Sequence, residues 1–165
     1  MGVSGSGKTT IGQKLSSATG WPFYDGDDYH STENVEKMSR GIPLNDDDRL
    51  TWLETLSELI LEKRSSGEDL ILACSALKRA YRQTLRSKNQ DVLFVFLEGD
   101  FNLIWQRMQI RKSHYMKPEM LKSQFAILEP PLNALKLSIE RPAAELVAEI
   151  LSYAGVVISE ESDSD

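Results

Sequence analysis

The sequence predicts an α/β fold: three layers, with helices covering both faces of a parallel sheet. Three observations carry that expectation. Short apolar runs alternate with amphipathic stretches along the chain. Most of those runs are continuously apolar, as strands buried on both faces are. A glycine-rich loop near the N-terminal end leads directly into a helical pattern. The resulting βαβα order implies an open sheet with right-handed crossovers. A length of 165 residues, 41% of them hydrophobic, suffices for one core, and residues 1–158 are expected to form a single domain.

Each element has its own signal. Thr9–Ala18 is the first helical pattern, stopped by Gly20. Phe23-Tyr24, ending at Asp25, is the first expected strand, and Leu70–Ala73, Leu93–Leu97 and Leu135–Ile139 are the others. Asp46–Arg64 is a long helix with Leu50, Leu53, Leu56 and Ile60 on one face and Gly67 as its stop. Further helices are expected over Lys78–Ser87, Phe101–Lys112, Pro118–Leu128 and Ala143–Tyr153. Residues Ser159–Asp165 are acidic and polar and are expected to be a disordered tail.

Composition narrows the function classes. The chain carries 19 Lys+Arg against 25 Asp+Glu, a net charge of −6, which argues against nucleic acid as the ligand. Its longest apolar runs, Leu70–Cys74 and Val92–Leu97, are too short to span a membrane. Met1-Gly2-Val3-Ser4 lacks the basic and apolar regions of a secretory signal. One cysteine, Cys74, excludes an intrachain disulfide framework and fits a reducing compartment, so a cytoplasmic location is expected.

The most specific motif is Gly2-Val3-Ser4-Gly5-Ser6-Gly7-Lys8-Thr9, which satisfies GxxxxGK[ST] at every defined position. Phosphate oxygens need many donors converging in a small volume. Glycines 2, 5 and 7 let the backbone curl until its N–H groups point inward, and the helix that follows adds its dipole. Lys8 supplies a compact charge for the β- and γ-phosphates, and Thr9 a hydroxyl for Mg²⁺. The expected ligand is therefore ATP with Mg²⁺, held over Gly2 to Thr10. A loop of this kind ordinarily follows a central buried strand, yet only Met1 precedes Gly2. Removing about five buried apolar side chains at ~2 kcal/mol each forfeits roughly 10 kcal/mol. That is comparable with a domain's whole net stability of about 5–15 kcal/mol. The expectation is a chain begun at an internal methionine, with its central strand truncated, and less stable or inactive beside a longer version.

The run Phe23-Tyr24-Asp25-Gly26-Asp27-Asp28-Tyr29-His30 puts carboxylates at the C-terminal end of a strand, where α/β sheets keep their ligand crevice. Three acids so close repel one another unless a cation, a hydrogen-bonded substrate or solvent relieves them. Asp25 can hold Mg²⁺ through water, and Asp27, one pleat onward, can accept a proton from an attacking hydroxyl. An exposed Asp-Gly-Asp turn without chemistry is the alternative.

Further blocks make a resemblance specific: Asn34 with Lys37-Met38, Gly41-Ile42-Pro43-Leu44-Asn45-Asp46, Asp48-Arg49, Cys74-Ser75-Ala76-Leu77-Lys78 with Tyr81-Arg82, and Ser123-Gln124-Phe125 with Leu128-Glu129-Pro130. With the phosphate loop and the acidic run, these resemble gluconokinase, a family similar in fold to shikimate and adenylate kinases. The resemblance covers about Gly2 to Ile150. It implies a P-loop kinase with five parallel strands, the first largely absent here, and a mobile lid. It also implies ATP-dependent phosphorylation of D-gluconate to 6-phospho-D-gluconate, and a homodimer. A kinase for another small hydroxy acid, such as shikimate, and a catalytically impaired nucleotide-binding isoform are the alternatives.

Gluconate is a polyol with a carboxylate, so its site needs cations and donors. Arg49 can grip a carboxylate with two parallel N–H bonds, or pair with the neighbouring acids. His30 and Asn34, four residues apart, can share one face of a short helix and present polar groups to hydroxyls. Lys78 and Arg82, also four apart, lie in a stretch from Cys74 to Gln90 without one acid, and the resemblance places them near substrate. Gln124 is a further substrate candidate. The acid-free stretch Arg107–Lys117 is the expected lid (about 107–118), with Arg107 and Arg111 its candidates for neutralising phosphate charge and His114 a weaker one. Trp52, Trp105 and Phe125 read as packing residues, and Cys74 as a buried small residue.

Overall fold

A computed structural model of the chain describes residues 1–110 and 118–156. In chain order its elements are helix α1 (Lys8–Thr19), strand β1 (Phe23–Asp25), a 3₁₀ turn (Gly26–Tyr29), α2 (Thr32–Ser39), α3 (Asp46–Ser65), β2 (Ile71–Ala73), α4 (Arg79–Arg86), β3 (Val95–Glu98), α5 (Phe101–Ile110), α6 (Pro118–Ile127), β4 (Leu135–Ser138) and α7 (Ala143–Ala154). Every described strand overlaps a run that predicted one, although β3 starts two residues into the expected Leu93–Leu97 run and extends past it to Glu98. The expected last turns differ at their ends, where helices fray.

The strands form two parallel pairs rather than one continuous sheet. β1 pairs with β2, Phe23 opposite Ile71, and β3 pairs with β4, Val95 opposite Leu135. Two apolar clusters cover the strands. One joins Ile11 and Leu15 of α1 to Ile104, Leu121, Leu137 and Leu146. The other joins Trp52, Leu53, Leu56 and Ile60 of α3 to Tyr81 and Leu85 of α4. Helices thus lie on both sides of parallel strands, as the continuously apolar runs require.

α3 begins with a reciprocal cap. The Asn45 side chain accepts from the Asp48 N–H at 2.8 Å, and the Asp48 carboxylate accepts from the Asn45 N–H at 3.0 Å. Its buried stripe is Trp52, Leu53, Leu56 and Ile60, whereas Leu50, expected on that stripe, is 51% exposed. Trp52 takes the core position, because α3's inward face starts two residues later than the leucine spacing suggests. Among the described residues no helix is long and apolar enough to cross a membrane.

Candidate active site

The phosphate loop hangs between the two strand pairs. The Gly2 N–H donates to the Ser75 carbonyl at 3.2 Å, and the Leu97 N–H donates to the Met1 carbonyl at 3.0 Å. Gly2 has φ +144°, and a Cβ there would lie 2.8 Å from the Leu97 carbonyl oxygen, so only glycine fits. Gly7, at φ +96°, turns the chain into α1, which has no side-chain cap. The first N–H groups of α1 are therefore left for a ligand. The Lys8 ammonium donates to the Val3 carbonyl at 3.1 Å. Burial pulls its pKa below the ordinary lysine value, while the charges of Asp27, Cys74 and Asp25 act in the opposite direction.

The acidic turn is bound to this loop. Thr9 Oγ1 donates to Asp25 Oδ2 at 2.9 Å, and Asp25 Oδ1 accepts from the Asp27 N–H at 3.2 Å, capping the 3₁₀ turn. Gly26 is buried between the acids, and a Cβ there would lie 2.8 Å from the Ala73 carbonyl oxygen. Its own carbonyl accepts from Trp52 Nε1 at 2.6 Å. The turn is thus pinned on three sides, and the exposed Asp27 carboxylate has no hydrogen bond or ion pair among the described residues. No group of three or more His, Cys, Asp or Glu side chains forms a metal cage among them either. One hydroxyl and one carboxylate suit Mg²⁺, which keeps several waters and takes its other ligands from phosphate.

His30 stacks on Trp52, ring centroids 4.3 Å apart and planes 19° apart. Partial burial lowers its pKa, opposed by the Asp27 charge and reinforced by Arg49. His30 and Asn34 do not share a helix face: His30 closes the 3₁₀ turn, and Ser31 caps α2 between them. Asn34 is buried and donates to the Asp48 carbonyl at 2.6 Å, tying α2 to α3.

A cleft of about 350 Å³ opens beside Leu44, Asp46, Arg49, Lys78 and Ser123. Arg49 is not held by the acids next to it. Its guanidinium donates to the carbonyls of Leu44 and, at 3.3 Å, Asn45, and to the Tyr81 hydroxyl at 3.4 Å. Asp46 instead accepts from Lys78 at 2.7 Å on both oxygens and from the Tyr81 hydroxyl. Those bonds hold its carboxyl below the usual range. Lys78 sits at the N-cap of α4, so it shares no helix face with Arg82. Arg82 is buried and donates to the Ala76 and Leu77 carbonyls at 2.9 and 3.0 Å. It braces the turn in which Ala76 takes φ +44°, turned away from the cleft.

Gln124 reaches the phosphate loop: its carbonyl accepts from the Ser4 N–H at 2.7 Å and its amide donates to Ser4 Oγ at 3.0 Å. Arg107 donates to the Ile139 carbonyl at 2.7 Å, beyond the end of β4. Arg111, His114 and the remainder of the expected lid to Lys117 lie outside the described residues, as does the acidic tail expected at the C-terminal end. Cys74 is buried and its thiol is pushed up to about 12 by desolvation, so it is no nucleophile. Sequence spacing missed Tyr81 and the polar side of Trp52. Neither has a local signal, since their partners lie 35 and 26 residues away.

Comparison with known proteins places these features in a family. The shikimate kinase family model matches residues 4–158. A probable gluconokinase of Rattus norvegicus is 45% identical over 172 residues, covering 92% of this chain and 93% of that one. The thermosensitive gluconokinase of Escherichia coli is 48% identical over 131 residues, covering 79% and 70%. Among solved structures, a gluconokinase from Sinorhizobium meliloti superposes with a TM-score of 0.85 at 41% identity, covering 94% of this chain and 89% of the other. A shikimate kinase from Aquifex aeolicus, at 24% identity and a TM-score of 0.55, shares the fold.

Proposed function

We propose that this chain, which belongs to the gluconokinase family, works through the acidic turn docked on its phosphate loop. It transfers the terminal phosphoryl group of ATP to D-gluconate, giving 6-phospho-D-gluconate and ADP. The Thr9–Asp25 hydrogen bond carries the assignment of roles, because it joins the phosphate loop to the turn that presents Asp27.

ATP lies with its phosphates along the loop from Gly2 to Thr10 (Gly2, Val3, Ser4, Gly5, Ser6, Gly7, Lys8, Thr9 and Thr10), the last of them in the first turn of α1, whose leading N–H groups face the ligand. Lys8 exchanges the Val3 carbonyl for phosphate oxygens. Thr9 and Asp25 are the residues that would hold Mg²⁺, which when bound would offset negative charge on the phosphates. Gluconate enters the cleft between Arg49 and Lys78, cations suited to its carboxylate. Its 6-hydroxyl oxygen forms a bond to the γ-phosphorus while the bond to the β,γ-bridging oxygen breaks, and ADP leaves with that electron pair. Asp27 accepts the hydroxyl proton. Arg107 and Arg111 bring positive charge with the lid, and Gln124 orders Ser4 at the phosphate end. Positioning and electrostatics supply most of the acceleration.

A coupled assay of the purified chain with Mg²⁺ and ATP tests this. ADP release should depend on gluconate and be absent with shikimate. Release with shikimate alone overturns the substrate, and ATP binding without release for either acid overturns the transfer.

A further inference from the structure

The two cations that flank the cleft differ in what already holds them. Lys78 gives its ammonium to both oxygens of Asp46 at 2.7 Å, so its charge is compensated within the protein. Arg49 makes no ion pair among the described residues. Asp46 and Arg49 stand three apart on α3, a spacing at which opposite charges ordinarily pair. They do not pair here, because Asp46 is taken by Lys78 and Tyr81. Asp48 is taken in turn by Lys37 and the Asn45 N–H. The guanidinium charge is therefore left for a ligand.

Its geometry is left for a ligand as well. Every hydrogen bond that Arg49 makes among the described residues uses one nitrogen, Nη1, which donates to the Leu44 and Asn45 carbonyls and to the Tyr81 hydroxyl. Nε and Nη2 have no acceptor among those residues, and together they form an edge that takes a carboxylate with two parallel N–H bonds. Tyr81 stands where the pairing is decided. Its ring is 5% exposed and packs in the cluster of Trp52, Leu53, Leu56 and Leu85. Its hydroxyl gives its one proton to Asp46 and accepts from Arg49 Nη1 at 3.4 Å, so it is interposed between the acid and the guanidinium. Burial of the ring, then the Asp46 bond, raise its pKa, so the proton stays on the hydroxyl. Arg49 and Lys78 also lie 5.7 and 5.6 Å from the ring centroid. A ring locked in the core is a fixed reference for long cationic chains that have several partners within reach.

We propose that Tyr81 is a positioning residue for the acid end of the substrate: its hydroxyl keeps Asp46 away from Arg49 and so leaves the Nε–Nη2 edge of Arg49 to grip the gluconate carboxylate. The proposal rests on the reading of this cleft as the gluconate site and divides the work within it. Arg49 meets the carboxylate, whereas Lys78, compensated by Asp46, supplies a hydrogen-bond donor rather than a net charge. Without the hydroxyl, Asp46 turns an oxygen to Arg49, and the substrate then competes with an internal ion pair.

The test compares the full chain with Tyr81→Phe, with Tyr81→Phe combined with Asp46→Asn, and with Arg49→Met, each by steady-state kinetics and a thermal melt. Calorimetric titration of gluconate in the presence of ADP gives the same comparison as a Kd, without turnover. Tyr81→Phe keeps the packed ring. It should raise the gluconate KM and Kd by about tenfold, as loss of an interaction with a charged group does, while kcat and the KM for ATP stay within about twofold. Adding Asp46→Asn removes the charge that captures Arg49 and should bring the gluconate values back down by at least about threefold. A merely structural loss is not relieved in this way. An unchanged gluconate KM and Kd in Tyr81→Phe overturn the proposal, and so does a rise that Asp46→Asn fails to relieve. Arg49→Met separates the two levels of the argument. If it weakens gluconate by about tenfold or more while Tyr81→Phe does not, the role of Tyr81 fails and the cleft stands. If Arg49→Met leaves gluconate binding unchanged, the carboxylate is not at Arg49, and the reading of the cleft falls together with the role of Tyr81.

Discussion

Two acid triplets, Asp25/Asp27/Asp28 and Asp46/Asp47/Asp48, look alike on paper and meet opposite fates. In the second, Asp46 is taken by Lys78 and Tyr81, and Asp48 by Lys37 and by the cap of α3. In the first, no lysine or arginine comes within ion-pair distance among the described residues. Asp25 faces Thr9, and the exposed Asp27 carboxylate has no partner among the described residues, although its backbone N–H is held by Asp25. The lesson is that charge density does not mark chemistry. An acid is available for proton transfer when the fold withholds cations from it while fixing its backbone.

The contrast breaks most sharply at Asp27. Asp27→Asn should lower kcat by about 10²–10⁴-fold with ATP affinity little changed. Asp48→Asn should leave kcat within about threefold and cost a few degrees of melting temperature through its cap and the Lys37 pair. Steady-state kinetics with thermal melts on both variants decide it; near-normal turnover of Asp27→Asn would remove Asp27 from the base role.

An intermediate effect belongs to Trp52, which fixes the backbone of the first triplet. Trp52→Phe keeps an aromatic ring against His30 but removes the indole N–H from the buried Gly26 carbonyl and part of a buried side chain, a loss of about 1–3 kcal/mol. A melting temperature lower by roughly 3–10 °C follows, with kcat falling several-fold. If both values stay at wild type, the turn is held without the indole and the comparison loses one of its supports.

The smallest effect is a pH slope at His30. Its folded pKa lies below the ordinary 6.5. As pH falls below 6.5, the unfolded chain takes up a proton that the folded one resists, so stability declines with falling pH through that window. His30→Asn should flatten the fall in melting temperature between about pH 6.5 and 5. An unchanged slope would show that partial burial of the ring does not disfavour the imidazolium.

What was readable in advance was contiguous. The phosphate loop needs the amides of consecutive residues and glycines at set positions, so Gly2–Thr9 declared itself. The Asp25–Asp27 turn stood at a strand end for the same reason, and the strands showed as apolar runs. Cationic side chains were far less legible. Arg49, Lys78 and Arg82 are long, and each has several partners within reach. Spacing alone did not reveal that Arg82 would turn to the Ala76 and Leu77 carbonyls, nor that Lys78 would stand just before α4 and grip Asp46.

The sequence by itself therefore determined the alternation of elements, the phosphate loop, the acidic turn and the family likeness that names gluconate, because each rests on residues adjacent in the chain. Only the tertiary structure decided which groups meet across it. Trp52 reaches Gly26 over 26 residues, Lys78 reaches Asp46 over 32, and Gln124 reaches Ser4 over 120. It also decided that the four described strands settle as two parallel pairs. Such meetings depend on how helices and strands stack to bury apolar surface, and that packing is a property of the whole chain at once.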